Sequence, residues 1–209
     1  MIPVQIKAVQ FIPNASASLC QGLGIASGSP ALALLTTDSD DATYIALDEA
    51  TKAAQVQVGY ARSFYAGAAN ASTPNAGEVI GILSAETPGA VRSGMEAALA
   101  ALQRIGFEER QGVPYLAHTI SSCGSFLAKE AGVPLGSALA YLIAPPLESM
   151  VGLDAALKAS DVRLCKLYAP PSETNFGGGL LTGTQSACAA ACEAFQSAVE
   201  KIAQQPIEI

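Results

Sequence analysis

The chain repeats itself, and the repeat constrains its fold more than any other feature. The string Ala46-Leu47-Asp48-Glu49-Ala50-Thr51-Lys52-Ala53-Ala54-Gln55-Val56 recurs as Gly152-Leu153-Asp154-Ala155-Ala156-Leu157-Lys158-Ala159-Ser160-Asp161-Val162, an offset of 106. Upstream, Ala31-Leu32-Ala33 matches Ala138-Leu139-Ala140 and Ser18 matches Ser125, both at 107. Downstream, Leu83-Ser84-Ala85 resembles Leu181-Thr182-Gly183, and Glu96-Ala97 matches Glu193-Ala194, at 98 and 97. The drift places a length difference in the loops between these blocks. Chance convergence in an alanine-rich chain is the competing reading. It is the weaker one, because the flanking matches keep their order.

Each copy reads as the same series of elements. A strand (Leu32 to Thr37; Leu139 to Ala144) passes through a polar or Pro-rich turn into a short helix (about Asp48 to Ala54; Asp154 to Ser160). A second strand follows (Val56 to Phe64; Val162 to Tyr168), then a Gly-rich loop and a third strand (Val79 to Leu83; Leu180 to Thr182). A longer helix closes each copy. The first opens at Thr87 with Pro88 in its first turn and carries the stripe Val91, Met95, Ala98, Leu99, Leu102. The second has Ser186 as its cap and the stripe Cys188, Cys192, Phe195, Val199, Ile202. Extra strands precede each copy at Gln5 to Ile12 and Tyr115 to Ser121. The fold class is therefore α/β, an α+β sandwich built twice, with modules 1–106 and 107–209 joined between Gly106 and Pro114.

Composition narrows the partners. Of 209 residues, 40 are alanine and 19 glycine, so helices pack with their backbones close together. Half the residues are hydrophobic and only 14% are charged, which excludes a disordered chain and leaves apolar surface for neighbouring subunits. The net charge of −7 repels phosphate backbones and anionic lipid, so neither nucleic acid nor membrane is an expected partner. No segment approaches about 18 uninterrupted apolar residues, and the start of the chain lacks a basic, apolar leader. The expectation is a soluble cytoplasmic protein whose five cysteines (Cys20, Cys123, Cys165, Cys188, Cys192) are reduced.

Among chemical signals, the sharpest is an apolar strand running into Asp38-Ser39-Asp40-Asp41. Asp38 and Asp40 resemble the nucleophile loop of magnesium-dependent phosphotransferases, but the repeat places Pro145-Pro146 at the equivalent turn and no distal acidic pair follows. The same carboxylates suit a small cation, or form a plain solvated turn. Cys188 and Cys192, spaced i and i+4, lie on a core stripe and read as packing rather than metal ligands. His118 shares a strand face with Leu116 and Ile120 and reads as a half-buried histidine. The stretches from Ser63 to Asn75 and from Ala169 to Gly179 occupy equivalent places in the two copies. They are long and rich in small residues, as functional loops often are, against plain connectors as the alternative.

At these residues a family likeness emerges. Asp38 to Ile45, Leu47 to Lys52, Arg62 to Ala68, Ala144 to Glu148 and Pro171 to Phe176 closely resemble the EutL family of ethanolamine-utilisation microcompartment shell proteins. The likeness runs from about Leu34 to Pro206. It implies two circularly permuted bacterial-microcompartment domains per chain (1–106 and 107–209) and a trimeric, flat pseudohexameric tile without catalytic residues. It also implies a central pore that opens and closes, bounded here by Phe64, Tyr65, Ala66, Gly67 and Ala68 and by Ser172, Glu173 and Gly177. A small-molecule site for ethanolamine is implied in each subunit, matching Asp40, Asp41, Glu78, Phe107, Thr174, Asn175 and Phe176. Phe176 replaces a tyrosine of some relatives and so lacks a hydroxyl. No metal or cofactor is required; cobalamin, bound at the pore of some relatives, stays open as a pore ligand. The chemistry agrees: the carboxylates match an ammonium, Thr174 and Asn175 offer hydrogen bonds, and the two phenylalanines would cover methylenes. The alternatives are the phosphotransferase on Asp38 and Asp40, and a soluble small-molecule sensor without a shell.

Overall fold

The computed structural model describes residues 1–64, 75, 77–170, 172 and 174–207. They form two compact units. The first is Pro3–Gly106 with Gly124–Leu127, and the second is Met1–Ile2, Phe107–Cys123 and Ala128–Ile209.

In the first unit the elements are β1 (Ile6–Ile12), α1 (Ala17–Leu23), β2 (Ala31–Thr37), α2 (Asp40–Ala53), β3 (Gln57–Ser63), β4 (Val79–Ala85) and α3 (Pro88–Leu102). The four strands make an antiparallel sheet in the order β1-β2-β4-β3. Nearly every residue of β2 is buried, because both faces are covered. Helices α2 and α3 pack together and against the sheet, while Leu32 and Ile82 join Ala15 and Ile25 in a second cluster beside Cys20 and Leu23 of α1.

The second unit holds β5 (Glu108–Arg110), β6 (Val113–Ile120), α4 (Ser125–Ala131, whose first turn is counted with the first unit), β7 (Ala138–Ala144), α5 (Pro146–Ala159), β8 (Val162–Tyr168), β9 (Gly177–Gly183) and α6 (Gln185–Gln204). Its sheet runs β5-β6-β7-β9-β8, the first order with one added edge strand. Alternate residues of β7 (Ala138, Ala140, Leu142, Ala144) face Leu153 and Ala156 of α5 and Cys188, Cys192, Phe195 and Val199 of α6. Cys188 and Cys192 are thus core residues. The Phe195 ring lies over Gly152, where an added Cβ would come within 2.7 Å of it, so glycine sets the spacing of α5 and α6.

The repeat extends to backbone irregularities. β3 and β8 each carry a bulge against their partner, between Val58 and Tyr60 and between Leu164 and Lys166, 106 residues apart. Three expectations need correcting. Both middle helices start a full two turns earlier than Asp48 and Asp154, at Asp40 and Pro146. Two carboxylates in one first turn and a proline in the other are favourable helix starts, so the supposed turn is helix. The last helix is capped by Thr184, whose hydroxyl accepts from Ala187 N–H, and not by Ser186. Gly177, Gly178 and Gly179 open β9 and are not loop residues. The short helices α1 and α4 and the strand β5 were unforeseen.

Candidate functional site

The acidic spot is built at the end of the first sheet. Thr37, the last residue of β2, is buried, and its Oγ1 accepts from Ser39 N–H (3.1 Å) and lies 2.7 Å from Thr43 Oγ1. That hydroxyl pins the tight step from strand to helix. Asp38 is occupied at the sheet edge, where its carboxylate accepts from Gln5 N–H at 2.7 Å. Asp40 and Asp41 occupy the first turn of α2, where the helix dipole favours negative charge, and both are buried. The Asp40 carboxylate accepts from Asp41 N–H at 2.8 Å and meets the Ser63 hydroxyl from β3. Ser39 precedes the helix but makes no capping bond, and its buried hydroxyl is without a protein partner.

Glu78 is fixed from both sides. Its N–H donates to Thr37 O (2.7 Å) and its carbonyl accepts from Phe64 N–H (2.9 Å). Gly77 makes this crossing feasible, because a Cβ there would fall 2.1 Å from Thr37 O and 2.4 Å from Thr36 Oγ1. Burial pushes the Asp40 carboxyl above the usual carboxylate range, against the pull of its hydrogen bonds. Partial burial also raises Glu78, and the charges of Asp40 and Asp38 add to the shift. A carboxylate raised by burial and by neighbouring carboxylates, as Glu78 is, gains from a cation placed beside it.

The other expected residues lie in the second unit. Ser172 closes onto Thr174, Asn175 and Phe176: Ser172 N–H donates to Phe176 O (2.9 Å), Asn175 N–H to Ser172 O (3.1 Å), and the hydroxyls of Ser172 and Thr174 are 3.3 Å apart. Asn175 takes the left-handed conformation (φ 67°), which asparagine tolerates better than most residues. The rings of Phe107 and Phe176 meet at 5.8 Å between centroids, tilted by 53°. The structure therefore groups Asp40, Asp41 and Glu78 in one unit, and Phe107, Thr174, Asn175 and Phe176 in the other. Of the expected pore residues, Phe64 is exposed at the end of β3, Ser172 sits in the turn and Gly177 is buried at the start of β9. Tyr65, Ala66, Gly67, Ala68 and Glu173 lie outside the described residues. Thr37, Ser63 and Gly77 were not foreseen as supports, although the Thr36-Thr37-Asp38-Ser39 run is a sequence signal for a pinned strand-to-helix step.

Residues 31–113 match the BMC domain. Over 99% of its length the chain is 53% identical to the bacterial microcompartment shell protein EutL of Clostridium perfringens, 97% of which is covered. The chain belongs to the EutL family. The crystal structure of the ethanolamine utilization protein EutL from Leptotrichia buccalis superposes with a TM-score of 0.95 at 53% identity, covering all of this chain and 98% of that one. The trimeric shell protein PduB shares the fold alone (TM-score 0.79, 19% identity, covering 96% of this chain and 89% of that one). EutL-family membership makes this chain a structural component of a bacterial microcompartment shell and not an enzyme, which sets aside the phosphotransferase. The α/β fold and tandem microcompartment domains expected from the sequence hold. Asp38, tied to Gln5, stabilises the EutL sheet edge instead of facing a phosphate. Among the described residues no helix is long and apolar enough to cross a membrane.

Proposed function

We propose that the chain forms a trimeric, pseudohexameric shell tile with a gated central pore, and that each subunit binds ethanolamine at the acidic spot. One observation carries the ligand: Asp40 and Glu78 are held by bonds to Asp41, Thr37 and Phe64 in an arrangement that raises their carboxyl pKa values, which an ammonium would relieve. Asp41 completes the negative set. Phe107, Thr174, Asn175 and Phe176 enter the proposal from the family resemblance, as do the pore loops and cobalamin as a pore ligand.

Ligand binding shifts a pore equilibrium only if one state binds better; the proposal is that ethanolamine favours the closed loops. Titration calorimetry with ethanolamine tests the site, with Asp40→Asn and Glu78→Gln each expected to weaken binding at least tenfold. Unchanged binding in both variants would remove the site. Negative-stain images of concentrated protein are expected to show flat sheets or trimeric discs. Dispersed protein that binds ethanolamine without assembling would instead favour the sensor.

A further inference from the structure

Three large apolar side chains that lie exposed on the chain, Leu19, Val151 and Leu157, acquire a partner once the repeat is applied to one contact. Within the first unit, Asp48 of α2 accepts from Gly124 N–H (2.6 Å) and Leu127 N–H (2.8 Å). Thr51 Oγ1 accepts from Ser125 N–H (3.0 Å), and the Tyr44 and Phe126 rings meet at 6.0 Å. The face of α2 thus holds the opening turn of α4, the short helix that begins the second copy.

Each side of this contact has a counterpart. The 106 offset turns Asp48, Thr51 and Ile45 of α2 into Asp154, Leu157 and Val151 of α5. Helices α1 and α4 start at Ala17 and Ser125 and end before left-handed Gly24 and Gly132, each pair 108 apart, which corrects the expected Ser18–Ser125 match at 107 and pairs Gly124 and Leu127 with Ser16 and Leu19. The burial of the two sets is opposite. Ile45 is 0% exposed and Val151 47%; Leu127 is 1% exposed and Leu19 43%; Asp48 is buried and Asp154 lies in the open. The α5 face is also more apolar than its counterpart, with leucine in place of Thr51. An incoming α1 turn needs no carboxylate, because Ser16 already caps Leu19 N–H (3.3 Å). Asp154 is accordingly free for Lys158, at 2.6 Å.

We propose that the α5 face around Val151 and Leu157 receives the Ser16–Leu19 turn of α1 from a second copy of this chain. The contact joins two different surfaces, so it is head-to-tail and closes into a ring or runs on. It rests on the tile reading and names the surface that holds the tile together.

Cross-linking and sedimentation test it together. In the first copy a Cβ at Gly124 would fall 2.2 Å from Thr51 Oγ1, so the corresponding pair is Ser16 and Leu157. Mild oxidation of the Ser16→Cys, Leu157→Cys double variant is expected to give covalent dimers and trimers on a non-reducing gel. Each variant with one added cysteine, the wild-type chain with its five native cysteines, and a Ser16→Cys, Ser197→Cys pair are the controls and are expected not to cross-link. Leu19→Glu and Val151→Glu, both at exposed positions, are each expected to raise the concentration at which trimers dissociate at least tenfold, with unchanged far-ultraviolet circular dichroism. A wild-type trimer alongside an uncross-linked double variant and two glutamate variants that still sediment as trimers would overturn the surface and leave the tile standing. A wild-type chain sedimenting only at its 21.2 kDa monomer mass would overturn both.

Discussion

Asp40 is where two opposing effects meet: the dipole of α2 and the N–H of Asp41 favour its charge, while burial opposes it more strongly. The folded chain therefore holds this proton more tightly than the unfolded chain. Folding stability falls as pH rises from the ordinary carboxylate value through the raised one, and levels off above it. Asp40→Asn keeps an acceptor for Asp41 N–H, so without ligand it is expected to melt at a higher temperature than wild type at pH 7. The advantage should shrink on acidification to pH 4, a trend that scanning calorimetry follows. Binding of a cation has the reverse dependence, because the cation requires the charged form. Ethanolamine affinity is expected to weaken as pH falls into the range just above ordinary carboxylate values, and an affinity flat from pH 7 to 4.5 would argue against Asp40 and Glu78. Gly178 shows a different constraint. Its φ is +155° and an added Cβ would lie 1.9 Å from Leu142 O, so Gly178→Ala should destabilise by about 3 kcal/mol in urea unfolding. Asp40 and Asp41 were legible in the sequence because charge at the end of an apolar strand is conspicuous, whereas Glu78 entered only through the family resemblance. Their supports were not: Ser63 and Gly77 act through contacts that no local pattern encodes.

At the scale of elements, legibility followed periodicity. Strands β2 and β7 were readable from apolar runs, β8 from apolar residues interrupted by Arg163 and Lys166 in a strand pattern, and helix α3 from its capped apolar stripe. Helices α1 and α4 have only seven residues each and fall below the length at which propensity holds a helix in water. α4 is held by the Asp48 carboxylate, 76 and 79 residues away from the groups it binds. Asp48→Ala leaves two buried N–H groups without an acceptor and is expected to cost about 2–4 kcal/mol. The loss should appear as faster amide exchange across Gly124–Leu127. The α5–α6 pair depends instead on volume. Phe195 is fully buried over Gly152, so Phe195→Ala should cost about 3–5 kcal/mol, read from chemical unfolding.

The whole molecule is a duplication whose copies have diverged at their chemical ends. The turn that carries Asp40 and Asp41 in the first copy carries Pro146 and Leu147 in the second, so the acidic spot occurs once per chain while the sandwich occurs twice. Duplication was readable from sequence because the shared helix string survived; the exchange of Gly124–Leu127 into the first unit was not, since it depends on tertiary hydrogen bonds. That exchange has a consequence for dissection. A fragment of residues 1–106 would keep Asp48 without the N–H groups that hold it, so the separate halves are expected to fold poorly and the co-expressed halves to reassociate into one species, as heteronuclear NMR would show. The bond from Phe64 N–H to Glu78 O has a consequence of another kind. It ties the two ends of the intervening segment to each other at the rim of the sheet, and doubling the length of such a connection adds only about 0.6 kcal/mol of closure entropy. The frame of the sheet is thereby buffered against changes in chain length between Phe64 and Glu78.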